Sequence, residues 1–592
     1  VITARFDDLT PEAERSFRLD EPVGVLEARR SDEVSGVLEA AEAAARRGLW
    51  AAGFVAYEAA EGLDPALRVR DRTNLDAFQE LPLAWFALFA KREATHPLEP
   101  PPDAPDTAPP AGWRPSVTRR RYEDAIAHLR GRIAAGDTYQ VNHTFRLRAT
   151  LAGDDRGLYR DLCLAQRGGY AAYVRAGRHH VLSASPELFF RLDGDRITTR
   201  PMKGTASRGR WLEEDEEAIR RLVDSTKDRA ENAMIVDLLR NDLGRLSLPG
   251  RVVWDDLFRL ERFETVWQLT STISAELRPG TRLVDVFRAL FPSGSVTGAP
   301  KVSTMRIIAE QEDSRRGVYC GAVGYLAPPG SGEPRANFNV AIRTVVVDTA
   351  TGLAEYGLGG GVTFDSSAAG EYEEALAKAR VLTTARPAFG LRETLRWTPG
   401  TGFLHLQEHV SRLRSSAAYF GFRFDPVTVS TALEKAVADH ATGEARVRLV
   451  LERDGALRAE VSAPPPTEDG PVRIAVDEEP VDPQDVWLFH KTTRRGAYER
   501  RKARHPDVED VVLVNTLGEV TETTIANLAV RIDDRWVTPP RGSGLLAGTY
   551  REVLLREGRL TERAVTVEEL HRAEAVALVS SVRGWREAVV VP

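Results

Sequence analysis

The sequence predicts a mixed α and β protein built in two parts. Helix-spaced residues alternate with strand-like runs along the whole chain, two proline-rich stretches interrupt it, and the residue pattern changes near position 385. In RYEDAIAHLRGRIAAG (121–136), Tyr122, Ile126, Leu129 and Ile133 fall at helical spacing. HHVLSASPELFFRLDGDRITTRPMKG reads as strands, with a turn signal at Asp193–Gly194. KDRAENAMIVDLLRNDLGRL (227–246) reads as a helix with Met234, Ile235 and Leu238 on one face. PLEPPPDAPDTAPP (97–110) reads as an exposed linker, because proline lacks the amide donor that a helix or central strand needs. Near 385 the helix-like EYEEALAKARVLTTA gives way to RPAFGLRETLRW, which sets the expected parts at 1–385 and 386–592. In the second part PPPTEDGP (464–471) separates the strand-like ARVRLVL (445–451) and VRIAV (472–476), and short strands and helices continue to VALVSSV and REAVVVP. No repeat of fixed period is found.

The chain has 592 residues, 42% of them hydrophobic, enough for sizeable cores. Charged residues make up 28%, which excludes wholesale disorder. Lys plus Arg is 80 against 87 Asp plus Glu, and a net charge of −7 argues against a dedicated nucleic-acid binder. Two cysteines, Cys163 and Cys320, exclude a disulfide framework or a multi-cysteine zinc site and fit a reducing cytoplasm. No apolar run reaches the roughly 18 residues of a membrane span. The first residues, VITARFDDLTPEAERSF, carry early charges and no apolar stretch of the signal-peptide kind.

Seven segments concentrate polar residues beyond what packing requires: TYQVNHT (138–144), ASPELFF (184–190), RPMKGTASRG (200–209), RAENAMIVDLLRNDLGR (229–245), GSVTGAPK (294–301), NVAIRT (339–344) and GLGGGVTFDSSAAGEYEEALAK (357–378). Glu231 shares a helical face with Met234, Ile235 and Leu238, so its carboxylate needs a metal or a partner; a neighbouring Arg or Lys would serve as well. Glu371, Glu374 and Lys378 also share a face, and a surface Glu374–Lys378 pair would be worth only a few tenths of a kcal/mol. The glycines 359–361 suit close backbone approach to a ligand, and equally a tight loop.

In this order, these segments resemble the chorismate-utilising enzymes: anthranilate synthase, aminodeoxychorismate synthase component I, and the isochorismate and salicylate synthases. The likeness covers roughly 120–380 and is weaker before it, as in GFVAYEAA (53–60). It implies β-sheet layers flanked by helices, and chorismate as substrate. Chorismate is a dianion with an allylic hydroxyl, and hydroxide is a poor leaving group, so a metal and a general acid are both expected. The resemblance assigns Mg²⁺ to Glu231 and Glu374, an oxygen-only ligation that this ion prefers. It places the enolpyruvyl carboxylate at Arg343, Tyr325 and the amides near Gly359 and Gly361, Lys378 near the ring carboxylate and metal, and Thr297 in the pocket wall.

Lys203, followed by Gly204 and Thr205, resembles the aminodeoxychorismate synthases; anthranilate synthases usually carry alanine there. The implied mechanism is covalent: neutral Lys203 attacks ring C2 as the C4 hydroxyl leaves with help from Glu187 as acid, then ammonia adds at C4 and expels the lysine. Such a lysine needs a lowered pKa. A cation that only contacts chorismate, and a structural role for Glu187, are the alternatives. Where the family often has histidine, this chain has Trp267 and Gln268, which favours stopping at 4-amino-4-deoxychorismate. Neither cysteine sits in a Gly-x-Cys-x-Gly elbow, so a separate glutamine amidotransferase is the expected ammonia source.

From FGLRETLRW onward the chain resembles the class IV pyridoxal-phosphate enzymes, the fold of branched-chain aminotransferases and aminodeoxychorismate lyase. The motifs are EHVSRLRSSAAYFGF (408–422), FHK (489–491), GEVTETTIANL (518–528), GLLAGTYREVLL (544–555) and SSVRGW (580–585). The likeness implies an α/β domain of two subdomains, pyridoxal 5'-phosphate bonded to Lys491, Glu522 facing the pyridine nitrogen, and Arg412 with Gly548 and Thr549 at the phosphate. It also admits a homodimer through this domain. Taken alone, Lys491 is one cation of the basic run KTTRRGAYERRKAR, which reads as a solvated helix face or a nucleic-acid patch. The family's usual opening segment is missing, since Arg392–Glu393–Thr394 follows the first part almost directly. Together the resemblances imply a fused synthase and lyase that makes 4-aminobenzoate from chorismate. An anthranilate-forming first part, and a second part that transaminates or serves as a silent docking module, are the rivals.

Overall fold

The computed structural model describes residues 2–10, 15–71, 77–100, 112–151, 153–382, 388–438, 440, 443–466 and 470–591. Residues 101–110 of the expected linker, residues 467–469 of the second proline-rich stretch and the break expected near 385 lie outside these. The chain forms two compact units, Val1–Ser207 with Ile219–Pro387, and Arg208–Ala218 with Ala388–Pro592.

In the first unit two antiparallel sheets, each of ten strands among the described residues, pack face to face. Phe6, Phe17, Trp50, Val174, Val181, Val323 and Tyr325 fill the space between them. The helices Arg119–Ala134, Asp155–Gln166 and Ala368–Ala379 cover one outer face, and Val34–Arg46, Thr226–Gly244 and Leu283–Leu290 the other. This gives four layers, α/β/β/α. The turn signal at Asp193–Gly194 closes a hairpin in which Asp193 pairs with Arg196, and Gly194 supplies the left-handed φ of +58°. The two helices that carry the candidate metal ligands are each started by a serine hydroxyl: Ser225 accepts from the Asp228 amide at 3.1 Å, and Ser367 from that of Gly370 at 3.2 Å.

One face differs from expectation. Helix Thr226–Gly244 buries Asn232, Ile235, Val236, Leu239 and Leu243, while Met234 is 38% exposed. The contact stripe is therefore turned from the one read through Met234, because Asn232 is drawn inside. Its Nδ2 donates to the Lys203 carbonyl at 3.1 Å, and its Oδ1 accepts from the Ser271 hydroxyl at 2.6 Å. A buried polar side chain that satisfies both ends packs as well as an apolar one, and a hydropathy pattern misses it.

The second unit holds a four-stranded sheet around Leu391–Thr398 and Ala445–Leu451, packed on the helices Leu406–Phe420 and Pro426–Val437. Beside it stands an eight-stranded sheet of mixed direction, in which Val472–Val476 runs parallel to Asp510–Val514 and Gly584–Val590. Residues Arg208–Ala218 belong to this unit although the sequence places them in the first part. The Trp211 ring lies 4.9 Å from that of Phe489, the Tyr419 hydroxyl donates to the Gly209 carbonyl at 2.6 Å, and the Arg208 guanidinium sits 4.3 Å over the Tyr419 ring.

A buried ion cluster braces the first unit. Arg316 makes two bonds to Glu312, at 2.6 and 3.0 Å, and donates to the Val296 and Asn142 carbonyls, each at 2.7 Å. Glu312 also accepts from the Thr144 amide and hydroxyl, and Arg146 stands 3.8 Å away. Removing one partner of such a cluster leaves uncompensated charge in the interior. Glu312→Ala is expected to destabilise the first unit by about 3–5 kcal/mol, seen as a lower urea midpoint; an unchanged midpoint would contradict the bracing role.

Candidate active sites

A cavity of about 190 Å³ opens in the first unit between strand Met202–Ser207, strand Leu353–Val362 and the helices Thr226–Gly244 and Ala368–Ala379. Glu187, Lys203, Gly204, Thr205, Glu231, Arg343, Gly359, Gly361, Glu374 and Lys378, all singled out from the sequence, line it. Burial brings the Lys203 ammonium below its ordinary pKa of 10.5, against the pull of Glu231, whose Oε2 lies 3.7 Å from Nζ. Glu187 is buried and pushed up to about 7 by that burial, while its Oε1 accepts from the Ser295 hydroxyl at 2.6 Å. The cavity thus pairs an amine whose charge is disfavoured by burial with a carboxyl whose charge is disfavoured in the same way.

The glycine run has a physical reason. A β-carbon on Gly361 would come within 2.4 Å of Lys203 Nζ and 2.2 Å of Gln140 Nε2, so a larger residue would displace the ends of both side chains. Lys378 reaches Glu374 Oε1 at 2.8 Å and the Gly359 carbonyl at 2.9 Å, and its charge holds the Glu374 carboxyl below the ordinary range. Arg343 Nη1 donates to the Lys378 carbonyl at 2.5 Å. Gln268 lies opposite Thr205 and donates to its hydroxyl at 2.9 Å. Glu231 and Glu374 offer the all-oxygen donors that a hard divalent cation takes. Among the described residues no group of three or more His, Cys, Asp or Glu side chains stands close enough to hold a metal ion. An ion here would need oxygens from a ligand as well.

Two expected residues lie elsewhere. Tyr325 faces the core between the sheets, its ring 4.9 Å from Phe6 and 5.3 Å from Phe17, and its hydroxyl donates to Glu333. Strand alternation turns it there with Val323, and the tyrosines in the cavity wall are Tyr319 and Tyr356. Thr297 is fully buried, with its hydroxyl spent on the Ser293 carbonyl at 3.0 Å, and Ser295 and Val296 form the wall in its place. Ser295 was missed because a serine in a Gly-Ser-Val loop carries no periodic signal; only its bond to Glu187 reveals it.

The second unit encloses a cavity of about 320 Å³ lined by Arg412, Lys491, Glu522, Gly548 and Thr549 among others. Burial, with Arg412 and Arg392 nearby, lowers the Lys491 amine to about 7. Burial raises Glu522 to about 8, and it accepts from the Tyr498 hydroxyl at 3.0 Å. No ion pair is formed by Glu522 among the described residues, which leaves room for a cationic ring nitrogen as its partner. Gly548 caps helix Thr549–Arg556, and a β-carbon there would strike Asn527 Oδ1 at 2.0 Å. Arg412 is oriented from behind by Glu393, at 2.9 and 2.6 Å. Burial would raise the Glu393 carboxyl, but Arg412 and His409 outweigh it and hold it at about 2. His409 in turn meets the Thr549 hydroxyl at 3.3 Å. The arginine and the helix start so fixed form a cradle suited to a phosphate. His490, beside Lys491, is neutral, lowered by burial to about 3, and is held between the Ser416 hydroxyl and the Arg210 carbonyl.

Among known proteins, aminodeoxychorismate synthase component 1 of Salmonella typhimurium is 41% identical over 269 residues, 45% of this chain and 58% of the relative. Anthranilate synthase component 1 of Streptomyces coelicolor is 40% identical over 275 residues, 46% of this chain and 53% of the relative. The chain thus spans little more than half the length of either. Anthranilate synthase component I of Streptococcus pneumoniae shares the fold, with a TM-score of 0.54 at 24% identity over 63% of this chain and 93% of that one. Residues 390–590 match the profile of class IV amino-transferases. No described helix is long and apolar enough to cross a membrane. Residues 7–384 match the profile described as chorismate binding enzyme, and the chain belongs to that family.

Proposed function

We propose that the first unit converts chorismate and ammonia to 4-amino-4-deoxychorismate, and that the second eliminates pyruvate from it to give 4-aminobenzoate. Identity to relatives does not choose between the amino-deoxy and anthranilate products, since the two kinds of synthase match almost equally well, at 41% and 40%. The observation that carries the reading is Lys203, a buried amine of lowered pKa in the same cavity as a carboxyl held near 7.

In this scheme the Lys203 lone pair forms a bond to ring C2, both double bonds of the ring diene shift (C1=C2 to C1=C6 and C5=C6 to C4=C5), and the C4–O bond breaks as Glu187 delivers its proton, so that water leaves. Ammonia then bonds to C4, both shifts reverse, and the C2–N bond to Lys203 breaks as the lysine is expelled. Arg343 and the amides near Gly359 and Gly361 hold the enolpyruvyl carboxylate. Mg²⁺ would be held by Glu231 and Glu374 with the ring carboxylate, and would supply charge to bind and polarise it. The ammonia is assigned to a glutamine amidotransferase partner: both cysteines are buried and their thiols are raised by burial, unlike a nucleophile. A cytoplasmic setting fits these two free thiols.

In the second unit pyridoxal 5'-phosphate would be held by Arg412, the Thr549 helix start, Glu522 and Lys491, and when bound supplies an electron sink for the bond broken at C4. Lys491, near half-neutral at pH 7, takes the C4 proton and returns one to the departing enolpyruvyl group. Ring aromatisation drives the step. A silent docking module would have no use for a buried amine so poised.

Incubation with chorismate, Mg²⁺, ammonium and pyridoxal phosphate is expected to yield 4-aminobenzoate by mass and fluorescence. Lys203→Ala should reduce it to background, and Lys491→Ala should accumulate 4-amino-4-deoxychorismate. If the Lys491 variant forms 4-aminobenzoate at the parental rate, the second assignment fails; anthranilate as the parent's product would sink the first.

The acid must be protonated, so the first step is expected to slow as pH rises through about 7, the Glu187 value. Glu187→Gln is expected to cost about 10²–10⁴-fold and to remove the alkaline fall. Retention of that fall in the variant would assign it to another group.

A further inference from the structure

Seven arginines and Lys491 line the second cavity, against one carboxyl, Glu522, which burial keeps largely protonated at neutral pH. A phosphate dianion at Arg412 and the Thr549 helix start accounts for part of this charge. Part of the rest stands on the paired strands Leu391–Thr398 and Ala445–Leu451, with Thr394 across from Arg448 and Arg392 across from Val450. Alternation turns Leu391, Glu393, Leu395, Val447 and Leu449 into the buried side. It leaves Arg392, Thr394, Arg446 and Arg448 on the cavity side. Several of the arginines are already engaged: Arg494 stacks 4.0 Å over Trp487, Arg495 donates to the Thr524 carbonyl, and Arg446 to the Ser462 hydroxyl at 3.1 Å. Arg392 and Arg448 differ. The Nε of each is buried without a hydrogen-bond partner among the described residues, and Glu460 lies 3.6 Å from Arg448. Burial and the neighbouring Arg495 and Arg448 bring Arg392 down to about 10. Like charges gathered around unfilled donors are costly unless an anion completes them.

We infer that Arg392 and Arg448 form a carboxylate subsite in the same cavity as the phosphate cradle, which selects a substrate amine carrying two carboxylates over a mono-carboxylic or apolar amino acid. This rests on the reading of the second cavity as an amine-processing site and names its substrate class. The Arg392 position also bears on the missing opening segment. With that segment gone, specificity is carried by the first strand of the unit, at the residue just before Glu393, which orients Arg412 from the strand's other face.

The test uses the full chain loaded with pyridoxal phosphate. The KM for pyruvate release from 4-amino-4-deoxychorismate is measured, and the cofactor's absorbance is titrated with benzene-1,3-dicarboxylate and with benzoate. The parent is expected to take the dicarboxylate at least about tenfold more tightly than benzoate. Arg392→Met and Arg448→Met should each raise KM roughly 10- to 100-fold and bring that ratio toward one, with the cofactor band retained; Arg392→Lys should keep an intermediate ratio. Unchanged KM and an unchanged ratio in both methionine variants would overturn the subsite. A parent that prefers the dicarboxylate yet releases no pyruvate would leave the subsite standing and remove the lyase reading, so the two failures are told apart.

Discussion

An amine can act as a nucleophile or base inside a protein only if the interior keeps it uncharged, and both cavities are organised around that constraint. A lysine in water is protonated by more than three pH units at neutrality. Burial works against that charge in both Lys203 and Lys491 as the largest influence on each, and it brings Lys491 to about 7. Their surroundings then differ in sign. Lys203 faces Glu231, Glu374 and Glu371, which favour the ammonium, against Lys378. Lys491 faces Arg412, Arg392 and Arg495, which disfavour it, against Glu393 and Glu522. The first amine is thus the one whose neutrality depends on what occupies its carboxylates: any positive charge taken up by Glu231 and Glu374 removes the partners that hold its proton. The second is poised by the protein alone.

The same constraint fixes backbone features that otherwise look arbitrary. A β-carbon at residue 361 would crowd Lys203 Nζ, at 2.4 Å, so glycine there leaves the amine in its present position. Asn232, on the helix that bears Glu231, ties the Lys203 carbonyl to that helix, so amine and carboxylate are positioned by one hydrogen-bonded unit. The Glu312–Arg316 cluster ends on the Val296 and Asn142 carbonyls, and both residues belong to the cavity wall. A buried ion pair is weak evidence for stability, but one that holds two wall segments at once gives the pocket its shape.

Much of this was legible in the sequence because chemistry of this kind needs residue types in a fixed order. Glu187, Lys203, Glu231, Glu374, Lys491 and Glu522 each stand in a short motif, and the structure gathers them into two cavities. What the sequence concealed was direction. Tyr319 and Tyr325 are equivalent as letters and an even number of residues apart, so alternation alone would place them on one face; Tyr319 lies before the strand Ala322–Leu326, and the left-handed Cys320 (φ +62°) breaks the extended backbone between them. Met234 fits an apolar stripe as well as Asn232 does badly, yet a doubly bonded amide took the inner place. Thr297 and Ser295 are both hydroxyls two residues apart, separated only by which carbonyl or carboxyl lay within reach. Arg392 stood out in the sequence only as the residue that opens Arg392–Glu393–Thr394, and its unpartnered Nε is visible only in the fold.

The segment Arg208–Ala218 shows why the boundary read near 385 is not the boundary of folding. Nothing in its residues marks it as foreign to the first part; it begins directly after the strand Met202–Ser207 that carries Lys203. Yet its Arg210 carbonyl is a partner of His490, its Trp211 covers Phe489, and its Gly209 carbonyl satisfies Tyr419. These three residues flank or support Lys491. Residues 388–592 taken alone would expose two aromatic rings and leave a buried imidazole and a buried phenol each short of a partner, and such unsatisfied groups cost about 1–3 kcal/mol apiece. The second unit therefore borrows eleven residues, Arg208–Ala218, from the sequence of the first to complete the wall behind its amine. A docking module under no catalytic demand could close that wall with any apolar residues of its own; one that must hold a lysine at fixed position and near pH 7 needs the ring and carbonyl contacts this segment supplies.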